Sequence, residues 1–320
     1  ARKPQGVIAL IMPWNNPVAL PVGNIAPALM SSNAVVFKPA PEAAAIGHLI
    51  LESLNRASLP ADLVRLVAGG ASVGAALVRH PLVNAIAFTG SIQAGRSIAI
   101  AGAELFKPVR AELGGNNAAV VLADADLDVV VADLVRNVYA FAGQRCTAIR
   151  RLVVASEVRD EFVSRYIALA VQYETTKLIS SDAEARVARQ LELGIKQGAV
   201  VLLDGSAKLV EVVDQANVLV QQESFAPIAV LQVATNLQHA IELANGVEQG
   251  LVMSICTESD EIFEQVASQA KVGIIQRGGA VLGVSAEAPF SGWKASGVGS
   301  PEHGNWDFDF YTRAQVSYER

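Results

Sequence analysis

Cysteine is scarce in this chain: Cys146 and Cys256 are the only two among 320 residues. Two thiols cannot make a disulfide framework, and no Cys/His spacing matches a zinc site, so no metal is expected. A reducing, cytoplasmic setting is the corresponding default. Positive charge is not in excess either. The formal net charge is −6, which argues against nucleic acid as a partner, because a phosphate backbone calls for a basic face. No uninterrupted apolar stretch reaches bilayer length, so no membrane partner is expected. The opening Ala1-Arg2-Lys3-Pro4 runs straight into a strand-like segment, without the apolar core and cleavage site of a signal peptide. Position 1 is not Met, and the chain reads as trimmed or as a fragment. Internal repeats, low-complexity tracts and runs of like charge are missing as well.

What is present is core-forming material. Hydrophobic residues make up 52% and charged residues 18%, the balance of a chain that buries a core. The length is about twice that of a usual domain, which favours two. Apolar runs at residues 6–11, 34–37, 64–67 and 85–88 read as strands, and the stretches around 25–30, 46–56 and 73–79 as helices. Pro27 fits such a helix near its start or at a kink. That alternation predicts a parallel sheet covered by helices, with right-handed crossovers. A second series follows Gly114-Gly115, with strands at 118–122, 151–154, 199–203 and 228–233 and helices at 127–141, 160–171 and 237–245. Asn245-Gly246 gives the last of these helices a stop signal. The tail, residues 310–318, is rich in β-formers and reads as a strand in need of a partner.

Several short motifs could carry chemistry. Phe88-Thr89-Gly90-Ser91 stands at a strand-to-helix junction, where glycine and a helix N-terminus together suit an anion such as a pyrophosphate. Gly143-Gln144-Arg145-Cys146 puts a thiol in a polar segment, beside a cation that would favour the thiolate. Cys256, inside Met253-Ser254-Ile255, reads instead as a small buried hydrophobe. Glu112 precedes Gly114-Gly115 at a strand end, a place for a general base. Asn15, in Trp14-Asn15-Asn16-Pro17, offers an N–H to a developing oxyanion. Lys38 ends a strand and could reach a ribose or a phosphate. Each of these, taken alone, also has a plain structural reading as a turn, a core residue or a solvated side chain.

Taken in order, Pro13-Trp14-Asn15, Lys38-Pro39-Ala40, Phe88-Thr89-Gly90-Ser91, Glu112-Leu113-Gly114-Gly115, Gly143-Gln144-Arg145-Cys146, Glu223-Ser224-Phe225-Ala226-Pro227 and Pro289-Phe290-Ser291-Gly292 resemble the aldehyde dehydrogenase superfamily. The resemblance runs from about Gly6 to the C-terminus. It implies an α/β fold with a Rossmann-like parallel-sheet NAD(P)-binding domain over residues 1–113, incomplete at its N-terminus. An α/β catalytic domain would follow over 114–301, and a C-terminal oligomerisation arm over 302–320, giving a homodimer or homotetramer. By the same resemblance Cys146 is the nucleophile that forms a thiohemiacetal and then a thioester. Asn15 helps hold the oxyanion, and Glu112 activates water to release the acid. Trp14, Lys38, Gly90, Ser91, Glu223 and Phe225 are implied as cofactor-binding residues, with Lys38 at the adenosine ribose and Glu223 and Phe225 at the nicotinamide.

Glu112 also favours a non-acylating enzyme over one that passes its acyl group to coenzyme A. Gly143-Gln144-Arg145-Cys146-Thr147 with Arg150-Arg151 beyond is most similar to succinylglutamate semialdehyde dehydrogenase, and Gln144-Arg145-Cys146-Thr147-Ala148-Ile149 also resembles the non-phosphorylating glyceraldehyde-3-phosphate enzymes. Both point to a small anionic aldehyde, with Arg145, Arg150 or Arg151 to meet its charge. The chain departs from the family's pattern in places. Ala226 replaces a usual glycine and is expected to crowd the cofactor; Asn116 stands where many relatives carry Lys; Glu42 lies one residue late. NAD is favoured and NADP left open. The competing expectation is a catalytically silent, truncated member serving as a binding or structural subunit.

Overall fold

The computed structural model describes residues 1–57, 59–60, 62–279 and 285–319. They divide into two compact units. The first holds Ala1–Leu113, Val284–Ser291 and Gly297–Arg320, and the second holds Gly114–Gly283 and Gly292–Ser296.

In the first unit, β1 (Arg2–Pro4), β2 (Val7–Met12), α1 (Ala19–Met30), β3 (Ala34–Pro39), α2 (Ala44–Arg56), β4 (Val64–Leu66), α3 (Ala71–Arg79), β5 (Ala85–Thr89), α4 (Ile92–Glu104) and β6 (Val109–Glu112) alternate as the apolar runs predict. Strands β6, β5, β2, β3 and β4 lie side by side and parallel. They read as continuous apolar runs because both faces are covered. Ile8, Leu10 and Val35 pack on one side and Ala9, Ile86 and Ala111 on the other. Burying an aliphatic side chain of this size contributes about 1.5–3 kcal/mol. Helix α1 begins earlier than its apolar signal, and Pro27 lies inside it rather than at its start. The ring cannot donate to the carbonyl one turn back, and only three residues follow it before the helix ends, so little of the ladder is lost.

The second unit contains β7 (Asn117–Val121), α5 (Leu127–Tyr139), β8 (Ile149–Ala155), α6 (Arg159–Ala170), α7 (Ser181–Lys196), β9 (Val200–Leu203), β10 (Lys208–Glu211), α8 (Val218–Gln221), β11 (Ile228–Ala234), α9 (Leu237–Asn245), β12 (Gln249–Gly250), β13 (Val252–Cys256), α10 (Asp260–Gln269), β14 (Ile274–Arg277) and β15 (Trp293–Lys294). Its sheet runs in the order β14-β13-β7-β8-β11-β10-β9, parallel except for β9. Leu134, Phe162 and Tyr166 fill one face and Ile241, Ile255 and Val266 the other. Helix α9 ends at Asn245 as expected, but Gly246 has φ −76° and makes no left-handed cap. The last carbonyls are met by cations instead: Arg151 donates to Leu243 and Ala244, both at 2.8 Å, and Lys294 to Asn245 at 3.2 Å.

The chain then returns to the first unit. β16 (Gly297–Val298) joins β6 antiparallel, α11 (Asn305–Tyr311) packs on α1, and β17 (Thr312–Ala314) pairs antiparallel with β1. Residues 310–318 are therefore not one strand. Phe310 and Tyr311 end a helix, because their rings are buried over the Arg110 guanidinium at 4.5 and 4.8 Å, and only Thr312–Ala314 is extended. No helix among the described residues is long and apolar enough to cross a membrane.

Candidate active site

In the first unit the strand order reverses at β2, which has β3 on one side and β5 on the other. Open parallel sheets have a crevice at such a point, outside the carboxyl ends of the strands. A groove of about 710 Å³ lies there, lined by Trp14, Lys38, Gly74, Phe88, Gly90 and Ser91 among others. Lys38 is buried, and its Nζ donates to the carbonyls of Pro39 (2.9 Å) and Gly69 (2.8 Å). Burial lowers its pKa, with the Glu42 carboxylate pulling the other way. Gly90 is tight: a Cβ there would come within 2.5 Å of the Phe88 ring. Ser91 caps α4 by accepting from the Ala94 N–H at 3.3 Å. The free N–H groups of that helix end make the groove suited to an anion. Asn15 follows β2, half-buried. Glu112 ends β6, buried, in register with Thr89 on one side and Gly297 on the other.

In the second unit the chemistry gathers at the opposite, amino ends of the strands. Gly115 precedes β7, Cys146 precedes β8 and Glu223–Phe225 precede β11, and these strands are parallel neighbours. Cys146 is half-buried. The backbone before it takes three left-handed residues in succession: Phe141 (φ 56°), Ala142 (φ 53°) and Gly143 (φ 68°). Gly143 has no alternative, since a Cβ would lie 2.4 Å from the Ala226 carbonyl oxygen. Phe141 and Ala142 each cost about 1–2 kcal/mol there, so other contacts must hold the turn. The Gln144 Oε1 accepts from the Ile179 N–H (2.9 Å), and Arg145 donates to the Asn137 carbonyl (2.7 Å). Asn117 Nδ2 donates to the carbonyls of Cys146 (2.7 Å) and Ala148 (2.9 Å), and its Oδ1 accepts from the Val252 N–H (3.0 Å).

The two thiols differ in burial. Cys256 is buried, and desolvation pushes its pKa up to about 12; a thiol so placed is inert at neutral pH. The two arginines after Cys146 are not available to a substrate. Arg151 is fully buried and spends its donors on the carbonyls of Asn116, Leu243 and Ala244. Burial lowers its pKa to about 9, because the buried cation is stripped of water. Arg150 is ion-paired to Glu223 at 3.0 Å and donates to the carbonyls of Gly143 and Arg145. Arg145 alone of the three is half-buried. Among the described residues it makes no ion pair, and its Nε meets no acceptor. Ala226 does not face open space: its methyl is buried with Val210, Leu219 and Ile228. Asn117 and the Arg150 pairing were not legible as site features. A buried Asn at a strand start carried no signal beyond its neighbour glycines, and the Arg150–Glu223 contact joins residues far apart in the chain.

The structures of known proteins place this fold. The chain superimposes on betaine aldehyde dehydrogenase from Staphylococcus aureus, solved in complex with NAD+, with a TM-score of 0.94 at 25% identity, covering 98% of this chain and 66% of that one. A 2-hydroxymuconic semialdehyde dehydrogenase from Pseudomonas sp. (strain CF600) is 35% identical over 97% of this chain and 69% of its own length. An N-succinylglutamate 5-semialdehyde dehydrogenase from Erwinia tasmaniensis is 33% identical over 93% and 66%. The family model described as the aldehyde dehydrogenase family matches residues 1–317. The chain belongs to the aldehyde dehydrogenase family and has its α/β fold. It spans about two thirds of the length of these relatives.

Proposed function

We propose that this chain oxidises a small anionic aldehyde, such as succinylglutamate semialdehyde, to its carboxylate with NAD+ as hydride acceptor and NADP+ as the alternative. The observation that carries the reading is the half-buried Cys146, set beside a cation in a loop held from several sides. The Cys146 thiolate adds to the aldehyde carbon, the carbonyl oxygen becomes an oxyanion, and the Asn15 side chain and the Cys146 N–H donate to it. The nicotinamide, when bound, supplies the acceptor for the hydride that leaves that carbon. The resulting thioester is hydrolysed by water that gives its proton to Glu112, returning the Cys146 thiol and the acid. Glu112 supports water rather than coenzyme A as the acyl acceptor. The groove beside β2 fits a dinucleotide in size and in its anion-favouring helix end. There Trp14, Lys38, Gly90 and Ser91 would hold the adenosine and pyrophosphate part, with Glu223 and Phe225 at the nicotinamide end.

Arg145 supports the anionic substrate, being a cation that makes no ion pair among the described residues. Two of the relatives named above are semialdehyde dehydrogenases, one for 2-hydroxymuconic semialdehyde and one for N-succinylglutamate 5-semialdehyde, which supports this substrate class. Under this reading the working protein is a cytoplasmic homodimer or homotetramer. The test follows reduced-cofactor absorbance with the purified chain, NAD+ or NADP+, and anionic and neutral aldehydes. Reduction that is lost in Cys146→Ala and fastest with the anionic aldehydes is expected. Reduction that survives Cys146→Ala would overturn the mechanism; none at all, from folded protein, would favour a silent member.

A further inference from the structure

We propose that Arg150 is a positioning residue that joins the Cys146 loop to the Glu223–Phe225 loop, so that the nucleophile and the cofactor-facing carboxylate are set as one unit. The inference rests on the reading above for the roles of those two residues, but not for the contacts that link them. Arg150 is the second residue of β8 and is 2% exposed. Its Nη1 donates to the Gly143 carbonyl at 2.8 Å and its Nη2 to the Arg145 carbonyl at 2.7 Å. Those two carbonyls bracket Gln144, and Arg145 directly precedes Cys146. The remaining side of the fork reaches Glu223 Oε1, from Nη2 at 3.0 Å and from Nε at 3.3 Å. Its flat face lies over the Phe225 ring, 5.1 Å from the centroid.

Each end of this bridge is itself tightly determined. Glu223 is held from its other side by the Gly115 N–H, and burial raises its pKa while Arg150 draws it back down. A Cβ at Gly114 would lie 2.1 Å from Glu223 Oε2, so a glycine is needed for the carboxylate to sit there. Phe225 takes φ 51°, left-handed like the residues before Cys146. Two strained turns thus face one another across one guanidinium, and strained turns persist only where their surroundings over-determine them. Lysine cannot replace the bridge. It offers one compact charge, where the planar fork serves two carbonyls and a carboxylate together. Arg151, the next residue, shows the contrast, because its donors go to Asn116, Leu243 and Ala244 and reach no part of the Cys146 loop.

The test measures Cys146 directly and without cofactor. Wild-type chain, Glu223→Gln, Arg150→Lys and the double variant are treated with iodoacetamide from pH 6 to 9, and alkylation is followed on the Cys146 peptide by mass spectrometry. Circular dichroism confirms folding at the assay temperature. A Glu223 that serves only the cofactor leaves the empty protein's Cys146 untouched. The bridge predicts that Glu223→Gln changes the Cys146 rate at least threefold or moves its pH midpoint, that Arg150→Lys moves it in the same direction, and that the double variant adds little further. Rates and midpoints within experimental error of wild type in folded Glu223→Gln would overturn the proposal. So would fully additive effects. Should Arg150→Lys fail to fold, the Glu223→Gln comparison decides alone. Lack of aldehyde oxidation in the wild type would count against the proposed function, and the alkylation comparison would still decide on Arg150.

Discussion

The groove of the first unit is lined by side chains such as Trp14, Phe88 and Ile98, but what it offers an anion is backbone: Gly90 is pressed on the Phe88 ring, the N-terminal turn of α4 opens to it, and Lys38 is pinned to two carbonyls. The Cys146 cluster of the second unit is held by side chains: Asn117 under the Cys146 carbonyl, Arg150 across to Glu223, and Gln144 on the Ile179 N–H. A backbone-built site is vulnerable where a Cβ is added and tolerant elsewhere. A side-chain-built site is vulnerable where a side chain is shortened, because each loss leaves a buried polar group unmet. The ends of the sheet differ accordingly. The candidate site of the first unit lies at the carboxyl ends of its strands, where a helix start supplies donors, and that of the second at the amino ends, where loops must be tied down one by one.

The largest effect should come from shortening Asn117. Asn117→Ala removes donors from the Cys146 and Ala148 carbonyls and leaves the Val252 N–H without its acceptor. A loss of on the order of 3 kcal/mol in unfolding free energy is expected, read from urea denaturation, since unmet buried groups cost about 1–3 kcal/mol each. A loss below about 1 kcal/mol would mean that the loop is held by backbone after all, and the contrast between the units would fail.

That contrast also explains what the sequence showed. Strands β2, β5 and β7 were legible because they are buried on both faces and so read as apolar runs. Gly90, Ser91 and Lys38 were legible because they sit at strand ends, at fixed places in the chain. Helix α7 carried little signal, since only Gln190 and Gly194 are buried along it. The return of β16, α11 and β17 to the first unit rests on pairings such as Arg2 with Ala314, which no local pattern encodes. The roles of Arg150 and Arg151 were unreadable for the same reason: adjacent, alike and both buried, they differ only in partners from distant segments.

A smaller, opposite effect is expected in the first unit. Gly90→Ala puts a methyl within 2.5 Å of the Phe88 ring, and the ring or the turn must shift toward the groove. Affinity for NAD+ should fall about tenfold, which is about 1.4 kcal/mol, with the urea midpoint nearly unchanged. Calorimetric titration separates the two. Unchanged affinity with lost stability would show that Gly90 serves packing alone and that the groove is not built around its backbone.

The smallest effect concerns Cys256, the thiol that the second unit buries while Cys146 stays half-buried. Its folded pKa is raised from 9.0 to about 12 by burial. Between those values the unfolded thiol loses its proton while the folded one keeps it, so the folded state binds more protons and stability falls as pH rises. The contribution is whole below pH 9 and drains away through the window above it. Cys256→Val keeps an apolar side chain of similar size and removes the titration. Going from pH 8 to pH 9.5, wild type should lose about 0.8 kcal/mol more than the variant in urea unfolding. Equal losses would mean that the folded thiol ionises as readily as the unfolded one. Iodoacetamide would then label Cys256 as well as Cys146, and the division between an inert core thiol and a half-buried loop thiol would have to be redrawn.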